Sequence, residues 1–215
     1  MSTFVIAIDG PAASGKGTLA RKIADHYHFR YLDTGLTYRA VADVLMRENI
    51  ALDDEESLVE IAHHLDFSAL DRTHLSDHKI GEVASKIAVF KKLRQTLVHL
   101  QRQFAQSNDG VVLDGRDIGT VVCPDANVKL YISASAEIRA QRRYKELRSK
   151  GFQANYDNIL ADLKKRDERD MNRIEGPLKP ADDAHLLDTT KLSIEAVFED
   201  ACLLIDPLYH VVCEI

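Results

Sequence analysis

Phe4-Val5-Ile6-Ala7-Ile8-Asp9-Gly10-Pro11-Ala12-Ala13-Ser14-Gly15-Lys16-Gly17-Thr18 begins as a β-rich apolar run and ends as a glycine-bounded turn carrying a lysine. Phe4 to Ile8 suits a strand buried on both faces. Gly10, four residues and then Gly15-Lys16 is the spacing of a phosphate-binding loop. Helical periodicity from Lys16 to about Tyr27 supplies the strand–loop–helix context that the motif needs. Successive backbone N–H groups and the positive helix end bind an anion there, and Lys16 adds a full charge over the β and γ phosphates. A plain glycine turn has no need of a lysine in that register.

Outward from this loop, strands and helices alternate. Arg30-Tyr31-Leu32 reads as a strand, followed by a helix from Gly35 to about Glu48. Asp53 and Glu56 lie three apart and predict a capping box for a helix running to His64. A single long helical pattern covers about Ile80 to Gln106. Val111–Leu113 and Val128–Ile132 read as buried strands, with helices at about Ala136–Ser149 and Tyr156–Arg173. His185–Leu187 is a last strand before a helix from Ser193. This alternation predicts an α/β protein with a parallel sheet covered on both faces. Ligands then bind at the carboxyl ends of the strands.

Those ends are chemically loaded. Gly17 follows Lys16 directly, and the hydroxyl is displaced to Thr18, so a metal at this loop relies on water and phosphate oxygens. The G-K-G-T ending resembles nucleoside monophosphate kinases rather than GTPases or motor ATPases. Asp114 closes the apolar run Val111-Val112-Leu113, where a carboxylate organises the water shell of a phosphate-bound magnesium. Gly115-Arg116-Asp117-Ile118-Gly119-Thr120 continues with opposite charges between glycines. After the second strand, Thr34 is placed to cap the next helix. Arg39, one turn inside it, is placed to grip an acceptor phosphate bidentately.

Between Glu137 and Arg173 there are eleven Lys and Arg against seven Asp and Glu, a local +4 that leaves −10 elsewhere in a chain of net charge −6. Arg139, Arg142 and Arg143 share one helix face by spacing, and Arg166, Arg169, Asp170 and Arg173 share another. Most such runs are solvated, salt-bridged faces. Two facing arginine clusters near a phosphate loop point further, to a lid whose guanidiniums neutralise a moving phosphoryl group, worth about 10³- to 10⁵-fold in rate. Closure also expels water. No aromatic platform interleaves these arginines, which argues against nucleic acid as the ligand.

The 215 residues fit one domain, with 45% hydrophobic and 29% charged residues. Disorder, collagen and coiled coil are excluded by that composition. Three cysteines (Cys123, Cys202 and Cys213) without a C-x-x-C pair indicate neither a disulfide framework nor a zinc site. Cys123 and Cys202 read as packing residues. Among nine histidines, His74 and His78 invite a metal reading, but Ser76-Asp77 argues for a turn between them and no H-E-x-x-H follows. The start of the chain lacks a basic n-region and no stretch of 18 apolar residues occurs, so a cytoplasmic protein without a membrane partner is expected.

Taken in order, six segments resemble the bacterial cytidylate kinases and span nearly the whole chain. They are Ile8 to Thr18, Leu32-Asp33-Thr34-Gly35 with Tyr38-Arg39, Asp114 to Val122, Arg166 to Asp170, Pro177 to Ala181 and Leu187-Asp188-Thr189. The resemblance implies a three-layer P-loop kinase fold: a core of 1–34, 107–140 and 180–215, an acceptor-binding region of 35–106 and a mobile lid of 141–175. It implies transfer of a phosphoryl group from ATP, with Mg2+, to CMP or dCMP.

Residue by residue, it makes Gly10 to Thr18 the ATP site and Lys16, Arg142, Arg143 and Arg166 the charges around the transferred group. Ser85, Arg94 and Asp117 match the positions that read cytosine, whose exocyclic amine suits an acceptor. Thr34, Arg39, Arg116 and Arg173 match acceptor-phosphate ligands. Tyr38, Arg166 and Asp170 match the surroundings of the ribose. Two departures stand out: Thr34 where the family often has Ser, and a short insert at 67–80 without a strand pattern. A kinase for another nucleotide or a shikimate-like metabolite, and a non-catalytic nucleotide- or RNA-binding protein, are the rival expectations. A monomer is expected, because lid and acceptor region must move about a rigid sheet.

Overall fold

The computed structural model describes residues 3–106 and 110–213, with side chains to residue 210. Of the expected core, residues 1–2, 107–109 and 214–215 lie outside the described residues. Five parallel strands form one sheet in the order β2-β3-β1-β4-β5: β1 (Val5–Asp9), β2 (Arg30–Asp33), β3 (Val111–Gly115), β4 (Val128–Ser133) and β5 (His185–Asp188). β1 lies between β3 and β4, with Ile8 opposite Asp114 and Leu130. Its side chains divide between the two faces. Ile6 and Ile8 pack with Leu19 and Ile23 of α1 (Lys16–Tyr27) and Val197 and Ile205 of α9 (Ile194–Cys213). Ala7 packs the other way, with Leu113 and Val98 of α6 (Lys91–Ala105). Burial on both faces explains why β1 and β3 read as apolar runs, whereas the edge strand β5 is largely exposed.

A second core lies among α2 (Thr34–Arg47), α3 (Glu55–His63), α5 (His78–Ile87) and α6, around Val41, Leu58, Ile87 and Leu97. The expected single helix from Ile80 to Gln106 is two helices. The chain turns at Ala88-Val89-Phe90, where Phe90 is extended at the cap position and Glu55 Oε1 accepts the Lys92 N–H at 2.7 Å. Apolar residues continue on both sides of the turn because both helices face the same core, so periodicity alone does not register the break. The cap of α3 is Asp54 rather than Asp53: it accepts from Ser57 N at 3.1 Å and from Ser57 Oγ at 2.7 Å, while Glu55 is engaged by α6.

Thr34 does not cap α2 either. β2 runs straight into the helix, Asp33 takes the cap position, and the Thr34 hydroxyl donates to the Asp114 carbonyl at 2.8 Å. The 67–80 segment holds a 3₁₀ turn (Phe67–Ala69) and the short α4 (Arg72–Leu75), with no strand. Asp77 caps α5, so a turn does separate His74 from His78. His74 pairs with Asp43 at 2.8 Å, and among the described residues no three His, Cys, Asp or Glu side chains form a metal cluster. Cys123 packs against the α6 face of the sheet. α7 (Ala136–Ser149) and α8 (Tyr156–Asn172) pack together over Ala12 through Ala140 and Leu163. Among the described residues no helix is long and apolar enough to cross a membrane.

Candidate active site

The loop between β1 and α1 is shaped by contact as much as by conformation. A Cβ on Gly10 would run into the carbonyl oxygen of Ile132 in β4, so only glycine fits. Gly15, at φ 93°, takes the left-handed turn that starts α1. Lys16 lies across the loop, with its Nζ 3.4 Å from the Pro11 carbonyl. Burial, followed by Arg116, pulls its pKa down to about 8, against the opposing pull of Asp114 and Asp33.

Those two carboxylates face each other as register partners at the ends of β2 and β3. The Tyr31 hydroxyl donates to Asp114 Oδ1 at 3.0 Å. Burial, reinforced by Asp33, pushes the Asp114 carboxyl up to about 7. Two carboxylates side by side next to a phosphate loop form a donor set suited to a hard divalent cation. Neither Asp33 nor Tyr31 stands out in the sequence as a site residue. The signal available was the repeat of an aspartate at the end of each of three apolar strands.

Beyond β3 the chain makes one turn of π-helix (Ile118–Val122) that the sequence did not announce. Asp9, the last residue of β1, anchors it by accepting the Ile118 and Gly119 N–H groups, both at 2.8 Å. Arg116 and Asp117 are thereby presented to a buried network. Arg94 pairs with Asp117, and Arg173 Nη2 lies 3.5 Å from Asp117 Oδ1. Burial raises the Asp117 carboxyl's pKa, and Arg94, Arg173 and Arg116 act against it. Arg116 Nε donates to Asp170 at 2.8 Å, and Arg166 lies 4.0 Å from the same carboxylate. The Arg94 guanidinium also sits 5.8 Å over the Tyr38 ring. Ser85 Oγ, Arg166 Nε and Arg173 Nη2 are buried without a hydrogen bond. These buried polar atoms keep hydrogen-bonding capacity that the protein itself does not use.

The arginines that spacing grouped on one face of α7 go to three different places. Arg139 is buried and bidentate to Asp167, at 3.1 and 2.6 Å, and it also donates to the Ala12 carbonyl. Arg142 turns to the loop backbone, donating to the Ser14 carbonyl at 3.1 Å and the Thr189 carbonyl at 2.6 Å. Only Arg143 faces the large cleft of about 1100 Å³, together with Arg39 and Arg166. Arg39 itself donates to the Leu75 and Asp77 carbonyls at 2.7 and 3.0 Å. A smaller cavity of about 300 Å³ lies behind the loop, lined by Gly15, Thr18, Arg142, Leu192 and Ile194.

Known proteins resemble the chain in fold and in sequence. A gluconokinase from Sinorhizobium meliloti 1021 superposes with a TM-score of 0.53 at 12% identity, covering 98% of this chain and 97% of its own. A sugar kinase from Janibacter sp. HTCC2649 gives 0.51 at 15% identity, covering 95% of each chain. At those identities the likeness is one of fold, a parallel sheet flanked by helices. In sequence, a protein named cytidylate kinase from Bartonella tribocorum is 61% identical over 208 residues, 97% of each chain. One of the same name from Rhizobium meliloti is 60% identical over 204 residues, 95% of this chain and 96% of its own. The family model for cytidylate kinase matches residues 6–206, and the chain belongs to the cytidylate kinase family.

Proposed function

We propose that the protein transfers the γ-phosphoryl group of ATP to CMP and dCMP, forming ADP with CDP or dCDP. The observation that carries this reading is the buried Arg94–Asp117–Arg173 cluster, at the end of the strand adjacent to the one that feeds the phosphate loop. Cytosine presents one donor edge, its exocyclic amine, beside acceptors at the ring nitrogen and carbonyl. Asp117 offers the acceptor, Arg94 the donors, and the unpartnered Ser85 hydroxyl either. Uracil would set a carbonyl against Asp117, acceptor against acceptor, and lose a hydrogen bond.

Gly10 to Thr18 cradle the ATP phosphates, and Thr18, Leu192 and Ile194 line room for the rest of the donor nucleotide. Thr34, Arg39, Arg116 and Arg173 hold the acceptor phosphate, with Tyr38, Arg166 and Asp170 around the ribose. The acceptor oxygen is already anionic, so no side chain serves as general base. Catalysis is the alignment of two phosphates and neutralisation of their charge by Lys16, Arg143 and Arg166 in a site closed to water. Arg142 supports the loop through the Ser14 carbonyl and reaches the transferred group if the lid, 141–175, closes. Asp114, through water, and Asp33 would hold Mg2+. That ion, when bound, offsets charge on the phosphate oxygens. A cytoplasmic monomer is part of this reading.

The test is ADP formation with CMP, dCMP, UMP and AMP separately, with Asp117→Ala alongside. Turnover of CMP and dCMP, weakened in the variant, supports the assignment. Turnover of AMP or UMP in their place would move the acceptor pocket elsewhere, and ATP binding without turnover would favour a non-catalytic role.

A further inference from the structure

Gly17 occupies the position that the commonest phosphate-binding loops give to serine or threonine. The space above it is filled by other parts of the chain. A Cβ on Gly17 would lie 3.3 Å from Asp114 Oδ2, 3.6 Å from Arg72 Nη2 and 3.7 Å from the Tyr31 hydroxyl. Arg72 comes from α4, in the acceptor-binding region. Its guanidinium is 3.8 Å from Asp33 Oδ2, beside the Tyr31 hydroxyl that donates to Asp114.

This placement is built from local structure. The Asp71 carboxylate accepts the Thr73 N–H at 2.8 Å to start α4, Ser76 Oγ donates to the Arg72 carbonyl at 2.6 Å, and Arg39 holds the Leu75 carbonyl. A cation from the acceptor region is therefore aimed at the two carboxylates of the donor side.

We propose that Arg72 is a positioning residue for the donor-side metal and competes with a divalent cation for Asp33 and Asp114. The inference rests on the metal site assigned above. Two cations cannot share these carboxylates without repulsion, and one of them is free to leave. The Arg72 side chain is 44% exposed on a flexible stem, whereas Lys16 is enclosed by the loop. Arg72 then keeps the acidic pair neutralised and oriented, and swings toward solvent as metal and nucleotide enter.

The experiment is Mn2+ binding to the ADP complex, followed through the free-Mn2+ electron paramagnetic resonance signal, for wild type, Arg72→Gln and Arg72→Lys at one ionic strength. Removing the competing charge should tighten Mn2+ about two- to fivefold in Arg72→Gln, the scale of an exposed ion pair. Arg72→Lys, which keeps charge but loses the planar fork, should fall between. Unchanged Mn2+ affinity in Arg72→Gln overturns the proposal. Weaker affinity overturns it too, and would make Arg72 a phosphate ligand. A wild type that binds ADP but no Mn2+ removes both the competition and the metal assignment. CMP turnover by the same samples shows whether the wider reading stands.

Discussion

The Gly119 amide donates to the Asp9 carboxylate at 2.8 Å across 110 residues of chain. With the Ile118 amide on the other oxygen, the end of β1 and the turn presenting Arg116 and Asp117 become one body. The strand that leads into the phosphate loop and the Arg116–Asp117 turn are thus tied together by a single side chain.

Asp9→Asn keeps one acceptor and points an amide NH2 at a backbone N–H. Leaving that N–H unsatisfied should cost about 1–3 kcal/mol and raise KM for CMP more than KM for ATP. Burial pushes the Asp9 carboxyl up to about 6. Above that pH the carboxylate accepts both amides. As pH falls through about 6 it gains a proton, loses one acceptor, and the turn loosens. The CMP phosphate titrates in the same range, so the measurement is the ratio of variant to wild-type KM from pH 8 to 5. It should shrink toward one at the acid end, and a constant ratio would show that Asp9 does not titrate there.

Lys16 carries the opposite sign. Its pKa is lowered to about 8 by burial and Arg116, so the free enzyme loses the loop's cation as pH rises past that value. kcat/KM for ATP should fall above pH 8 with a slope approaching tenfold per unit. A profile flat to pH 9.5 would mean that Asp114 and Asp33 keep the ammonium charged.

Arg94 and Asp117 are both nearly inaccessible, at 4% and 7% exposure. Asp117→Ala strands two guanidiniums and should lower stability by about 3–5 kcal/mol. Adding Arg94→Met should recover more than half of that loss in denaturant titrations while CMP turnover stays lost. Additive losses would show that the pair is not coupled.

Gly176 takes a left-handed φ of 57°, and a Cβ there would overlap the Asp117 carboxylate and the Arg94 guanidinium. Gly176→Ala should cost about 1–2 kcal/mol from the backbone alone and raise KM for CMP by displacing that pair. Unchanged KM, with calorimetry showing only lost stability, would separate the glycine from the pocket.

Local order was legible in the chain itself. The bounds of Lys16–Tyr27 and Ala136–Ser149 follow from the sequence, because helical periodicity is a property of neighbouring residues. The inner strands β1 and β3 follow from apolar runs buried on both faces, and the phosphate loop from its spacing. The break at 88–90 was hidden because Ala88-Val89-Phe90 stays apolar as it changes direction. Spacing also treated Arg139, Arg142 and Arg143 alike, although one pairs with Asp167, one braces Ser14 and Thr189, and one faces the cleft.

The Asp9 anchor, the Asp33–Asp114 pair and the approach of Arg72 to Gly17 depend on segments far apart in the chain. The sheet order β2-β3-β1-β4-β5 sets Asp33 and Asp114 side by side and brings Asp9 opposite Gly115, one step along. Sequence alone determined which residue types and local elements were available. Only the tertiary structure decided which charges were buried together, because burial and distance, rather than residue identity, set the strength and even the sign of their effects.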